Sequence, residues 1–296
     1  MARRSRRDRL PCDVVPIAVV TDSTAYLPAD LAERHHITVV PLTVTLPDRS
    51  GREGSDITPA DVARAMSARG ERVTTSRPSA ELFASTYRAL LDGGASGVVS
   101  VHLAARLSGT VDAATVAAAA LGDRVTVIDA GSAAMGVGFP AIAAASAAAS
   151  GQDQSSVRDA ALAAVGRTST LFYVDTLEHM RRGGRVGAAS ALLGTALAVK
   201  PILDVADGTV RVREKVRTAG RALARLVDLA VEAAGDGQVD VAVQHLAATA
   251  RAEEVARALR GRLGHRVRSL LVGEVGAVVG AHAGPGLVGI VVHRVE

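Results

Sequence analysis

The residues able to do chemistry fall into three hydroxyl-rich clusters and one cationic run. Thr21-Asp22-Ser23-Thr24, the stretch TTSRPS at 74–79 and Arg106-Leu107-Ser108-Gly109-Thr110 each gather short donors and acceptors at a turn. Any one of them reads most simply as a helix cap, since Ser, Thr and Asp accept from the first free N–H groups of a helix. Their recurrence after successive strands argues for more, because loops at the carboxyl edge of an open parallel sheet are where ligands bind. The cations stand at Arg181-Arg182-Gly183-Gly184-Arg185, where two glycines free to take positive φ set three guanidinium groups around a tight turn. With the free amides of a following helix, such a turn suits an anion. Solvated arginines on an ordinary strand, turn and helix are the competing reading.

The elements that must position these residues follow from the apolar pattern. Val14 to Val20 reads as a buried strand, Pro28 to Arg34 as a short helix, and Ile37 to Leu46 as a strand pair or one bent strand. Asp48 to Asp56 is a surface loop or hairpin tip, and Thr58-Pro59 starts a helix with Thr as cap and Pro at its first position. Helices are expected at Glu81–Leu91, Val111–Leu121, an Ala-rich stretch ending near Ala149, and Val157–Arg167; strands at Gly97–Leu103 and Val125–Asp129. Strand, polar turn and helix thus repeat through the first half, the mark of a parallel sheet. After the strand Leu171–Val174 and a helical turn at Thr176–Met180, Gly187 to Val199 reads as an Ala/Leu-rich helix stopped by Lys200-Pro201. Ile202–Val205 and Val210–Glu214 form a hairpin about Asp207-Gly208. Helices Arg221–Ala233 and Ala248–Leu263 then alternate with strands Val239–Gln244 and Val267–Val272, before Gly-rich Gly273–Leu287 and the strand Val288–Val292.

Composition narrows the function classes. At 296 residues the chain is long enough for two domains, and its alternating elements favour an α/β class. Residues 1 to 10 hold five arginines and one aspartate; removing them from 34 basic and 30 acidic residues leaves 29 of each. The basic charge therefore sits on a tail and not on a folded nucleic-acid-binding surface. The single Cys12 excludes an internal disulfide framework and a Cys-based zinc site, and fits a reducing, cytoplasmic compartment. No apolar run resembles a leader or a membrane span, so no stable membrane insertion is expected. With aromatic content at 2%, recognition of bases or sugars by stacking is disfavoured.

Several motifs fail on context. Gly284-Pro285-Gly286-Leu287-Val288-Gly289 has the spelling of a dinucleotide fingerprint, but Pro285 lacks an amide and a strand follows where a helix is needed. No Walker A sequence, G-x-S-x-G elbow or H-E-x-x-H occurs. A hydrolase assembled from Ser23 or Ser108, His282 and Asp22 or Asp129 stays an open alternative, because such a relay is defined by geometry.

VTDSTAYLP at 20–28, VVPL at 39–42, TSRPS at 75–79, LSGT at 107–110, VIDAGSAAMGVGF at 127–139, DTLEHMRRGGRVG at 175–187, KPIL at 200–203, KVRT at 215–218 and HAGPGLVGI at 282–290 stand in one order along the chain. Together they resemble the DegV family of bacterial fatty-acid-binding proteins. The resemblance implies an α/β fold of two domains. After a basic tail at 1–12, residues 13–168 would form a three-layer α/β/α domain on a parallel sheet, and 169–296 a two-layer α/β domain on a mixed sheet. It implies a buried long-chain fatty acid presented to a separate ATP-dependent fatty acid kinase, with no catalytic residue, metal or cofactor in the chain itself. The carboxylate partners would be Thr75, Ser108 and His282, with Ser23, Arg185, Lys200 and Arg217 supporting the site or facing the partner. The chain departs from the family pattern at Ala104 and Ala105, where serines are common, at Arg77, where Gln is common, and at Ala130, where Ser is common. Independently, burying the methylenes of a long acyl chain at roughly 0.8 kcal/mol each favours an Ala/Val/Leu-rich tunnel, provided the carboxylate finds donors at its end.

Overall fold

Strands and helices of the first half alternate as the apolar runs require. In the computed structural model, which describes residues 16–67, 72–187 and 199–295, these are β1 (Ile17–Asp22), α1 (Ala29–Arg34), β2 (Ile37–Val40), β3 (Thr43–Thr45), β4 (Ser50–Arg52), α2 (Pro59–Ser67), β5 (Thr74–Ser76), α3 (Ala80–Asp92), β6 (Gly97–His102), α4 (Thr110–Ala119), β7 (Val125–Asp129), α5 (Met135–Ala149) and α6 (Gln154–Gly166). The second half adds β8 (Thr168–Tyr173), α7 (Glu178–Arg182), β9 (Lys200–Ala206), β10 (Thr209–Val216), α8 (Ala219–Ala234), β11 (Val239–His245), α9 (Thr249–Leu263), β12 (Val267–Glu274), α10 (Ala277–Ala283) and β13 (Val288–Arg294). The expected tail at 1–12, Cys12, the first residues of the Val14 strand and nearly all of the expected helix at 187–199 lie outside the described residues.

In the N-terminal part β2-β1-β6-β7 form a parallel sheet. Phe83 and Tyr87 of α3 and Ala113, Ala114 and Ala117 of α4 pack on one face, while α5 and α6 cover the other. The C-terminal part is a mixed sheet, β10-β9-β8-β13-β11-β12. Its outer face is buried under α8 and α9, and its inner face turns back toward the first half. Helix α5, MGVGFPAIAAASAAA, is apolar all round because Val137, Ala141 and Ala144 face the parallel sheet while Met135 and Phe139 meet Ala242 and Val291 of the mixed one. The fold class read from the sequence is the one observed.

Three elements differ from the sequence reading. Ile37–Leu46 is neither one bent strand nor a simple pair: β2 belongs to the parallel sheet, and β3 pairs with β4 and β5 in a small antiparallel sheet. Pro41, with no N–H to donate, separates them. The hydroxyl-rich Thr74–Ser76 is strand β5 and not a turn, since its β-branched threonines fit an edge position opposite Val44. The Gly-rich stretch 273–287 hides a helix, α10, which packs against α2 and α7. No helix among the described residues is long and apolar enough to cross a membrane.

Candidate ligand-binding site

Strand register builds one wall of a cavity of about 260 Å³. Phe172 of β8 pairs with Gly289 of β13, which pairs with Gln244 of β11. One pleat further, Thr170 pairs with Val291 and Val291 with Ala242. Residues two apart share a face, so these rows lie side by side on the inner face of the mixed sheet. The opposite wall comes from Leu103 and Leu107 after β6, Leu42 before β3, and Val275, Val278 and Val279 around the start of α10. At one end the lining turns polar, with Thr75, Ser76, Arg77, Ser108, Arg185 and His282.

Three of these polar residues are the expected carboxylate partners, and each arrives on a different element. Thr75 lies on β5, Ser108 on the turn before α4, and His282 on the last turn of α10. The Thr75 hydroxyl is 2.8 Å from His282 Nε2, and Ser108 Oγ is 2.9 Å from Thr110 Oγ1. His282 Nδ1 is buried without a partner among the described residues. Burial, then the Arg185 guanidinium, pull the His282 pKa down to about 4, so the ring is neutral at physiological pH. A neutral imidazole, two hydroxyls and two guanidinium groups form a donor-rich pocket for an anion. Arg185 donates to the carbonyl of Leu107, and Arg77 to the carbonyl of Gly109, which ties both cations to the LSGT turn. Beside the cavity mouth, Arg72, His179 and Arg182 line a cleft of about 720 Å³ that shares Thr75, Arg185 and His282 with it.

The remaining expected residues stand apart from the cavity lining. The first hydroxyl cluster works inside the protein: Asp22 accepts from the N–H of Thr24 and of Leu103 and meets His102 Nδ1 at 2.9 Å, while Thr21 donates to Val101. Ser23 accepts from the Leu42 N–H and donates to Glu53. Lys200 donates to the Asp175 carbonyl, and Arg217 is exposed just past β10; neither lines the cavity. Ala104 is buried, its N–H given to the Ser132 carbonyl. The hydrolase relay is not assembled. Ser108 faces Thr110, His282 faces Thr75, and Asp129 accepts from the N–H groups of Ala105 and Gly131. Ser100, His102 and Asp22 do bond in series, but all three side chains are fully buried.

Glu53, Gly289 and Gln244 escaped the sequence reading as site residues, and Arg77 entered it only as a departure from the family pattern. Glu53 accepts from the Val278 N–H at 2.7 Å and from the Tyr26 hydroxyl at 3.1 Å, so it caps the helix that carries His282. Tyr26 accepts in turn from Val279. Gly276 fits between them because a Cβ there would collide with the Tyr26 ring and the Glu53 carboxylate. A lone Gln in the buried run VDVAVQH was the available signal for Gln244.

A family model described as "Uncharacterised protein, DegV family" matches residues 16–295. A DegV domain-containing protein of Streptomyces coelicolor is 54% identical over 276 residues, covering 93% of this chain and 98% of the relative. Two solved structures superpose over 95% of this chain and 100% of their own. One, described as showing fatty acid binding of a DegV family protein from Thermus thermophilus, has a TM-score of 0.87 at 35% identity. The other, described as DegV, a fatty acid binding protein from Bacillus subtilis, has a TM-score of 0.85 at 30% identity.

Proposed function

Since the chain belongs to the DegV family, we propose that it binds a long-chain fatty acid in the cavity and presents the carboxylate to a separate ATP-dependent fatty acid kinase. Thr75, Ser108 and His282 hold the carboxylate, at the meeting place of two domains spanning 13–168 and 169–296. One observation carries this reading: the charged side chains lining the apolar cavity, Arg77 and Arg185, both stand at its hydroxyl-bearing end. An acyl chain gains from every buried methylene, whereas its carboxylate would cancel that gain without donors. The basic cleft at the mouth supplies room and charge for a phosphate donor from a partner, and the chain performs no chemistry itself.

Mass spectrometry of the protein released under denaturing conditions should recover a fatty acid, and the stripped protein should rebind one. Recovery of none, together with no rebinding, rejects the reading. Replacing Thr75 and Ser108 together by Ala should weaken binding of the acid by about tenfold or more while leaving the corresponding fatty alcohol less affected. The kinase step is checked by acyl phosphate formation with a fatty acid kinase and ATP, which charge reversal at Arg72 and Arg182 should slow.

A further inference from the structure

Outside the Thr75, Ser108 and His282 group the cavity lining is not uniformly apolar. Gln244 is 5% exposed and lines the cavity in the row Phe172–Gly289–Gln244. Its Oε1 accepts from the Met135 N–H at 3.0 Å, which fixes which way the amide points. That bond is held from the other side by Ala134, which enters α5 at φ 58° and ψ −144°, a backbone region costly for any residue with a Cβ. Gln244 Nε2 is then left with no acceptor among the described residues, and it is not sealed within protein atoms. One pleat along, Thr170 and Ser132 bond hydroxyl to hydroxyl at 2.9 Å. A pair of hydroxyls has two hydrogens and one mutual bond, so a second donor remains on one of the two, of which Thr170 lines the cavity.

A wall meant for plain methylenes would satisfy these donors within the protein, because a buried unpaired donor costs about 1–3 kcal/mol. We infer that the cavity is built for an acyl chain carrying an oxygen substituent, a hydroxyl or oxo group, that accepts from Gln244 Nε2 well away from the carboxylate. The inference rests on the fatty-acid reading of the site and specifies which acids the site selects. Discrimination follows from pairing: a plain chain leaves the amide unpartnered, and an oxygenated chain satisfies it.

The test uses the full chain stripped of lipid, titrated with stearic acid, a positional series of hydroxystearic acids and the matching oxostearic acids. At one position both the hydroxy and the oxo acid should bind at least roughly fivefold tighter than stearic acid, the oxo acid included because the free protein group is a donor. Gln244→Leu should reverse that order. Stearic acid binding as tightly as every oxygenated acid in the wild-type protein overturns the inference and leaves the proposed function standing. That arm needs no variant, so a folding defect in Gln244→Leu cannot obscure it. A preference that survives Gln244→Leu also overturns it. Failure of all the acids, stearic acid included, rejects the proposed function and this inference with it.

Discussion

Thr75 Oγ1 lies 2.8 Å from His282 Nε2 across 207 residues of chain, joining the small antiparallel sheet of the first half to the last helix of the second. The contact holds an imidazole whose folded pKa, about 4, is below its ordinary 6.5 through burial and the nearby Arg185. As pH falls from 6.5 toward 4, the unfolded chain takes up the proton first, so this group's contribution to stability is present above the window and lost through it. His282→Gln lacks the titration. The wild-type advantage over the variant in urea unfolding should therefore shrink by about 2 kcal/mol between neutral pH and pH near 4.5. An advantage independent of pH would show that the folded ring titrates as it does in water.

Glu53 carries the opposite sign. Burial raises its pKa, against the bonds from Ser23, Val278 and Tyr26 that favour the carboxylate. Its folded form therefore holds a proton to higher pH than the unfolded form, and stability falls as pH rises from 4.5 through the raised value. Glu53→Gln keeps the acceptor for Val278 and removes the buried charge, so it should gain on the wild type across that window. Glu53→Ala leaves the Val278 N–H, Tyr26 and Ser23 without their partner and should cost about 2–4 kcal/mol at neutral pH. Denaturant midpoints for the two variants from acid to neutral pH separate the two effects.

How much of this was legible in the sequence depended on whether a residue's partner was local. The strand β6 and the turn Arg106–Thr110 lie next to each other in the chain, and their reading held because the apolar run ends where the hydroxyls begin. The three clusters looked alike by composition, yet Asp22 turns inward to His102 while Thr75 and Ser108 line the cavity. That difference comes from β6 lying beside β1, a pairing between residues about eighty apart. Helix α10 was hidden because its sequence AVVGAHA contains a helix-weakening glycine and its N-terminus is completed by Glu53, more than 220 positions away. Lys200 and Arg217 matched a motif in letters, but Lys200 is spent on the Asp175 carbonyl and Arg217 points to neither cavity nor cleft lining.

Arg185 lines the cavity and is also one cause of the lowered His282 pKa; under the proposed function it is a cation for the ligand as well. Arg185→Gln should raise the His282 pKa toward its ordinary value, visible in the pH titration of its ring proton signals by NMR. The same substitution should weaken fatty acid binding by roughly threefold to tenfold at low salt and less at high salt, because the Arg185 guanidinium is exposed and screened. Arg77→Gln should reproduce the loss of affinity and leave the His282 titration unmoved, since Arg77 is not among the groups acting on that ring. Identical titration curves for wild type and Arg185→Gln would mean that burial alone sets the pKa.

Gly289 lines the cavity without a side chain. It stands between Phe172 and Gln244 on the inner face of the mixed sheet. The nearest atoms to a Cβ there would be the Leu171 carbonyl and Phe172 Cβ at 3.6 Å and the Gln244 carbonyl at 3.8 Å, ordinary contacts that demand no movement. The strand therefore tolerates a side chain, and a β-branched one suits it better than glycine. What a side chain does take is cavity, since its outer atoms project between two neighbours that line it. Gly289→Val should keep or raise the melting temperature and still bind a short acid through the unchanged Thr75, Ser108 and His282 end. A long acid loses the methylenes that no longer fit, at roughly 0.8 kcal/mol each, so displacing two or three of them lowers its affinity by about tenfold to a hundredfold. Titration of wild type and variant with lauric and stearic acids reads this directly as a change in the ratio of their dissociation constants. An unchanged ratio in a well-folded variant would place the acyl chain elsewhere than along this face of the sheet.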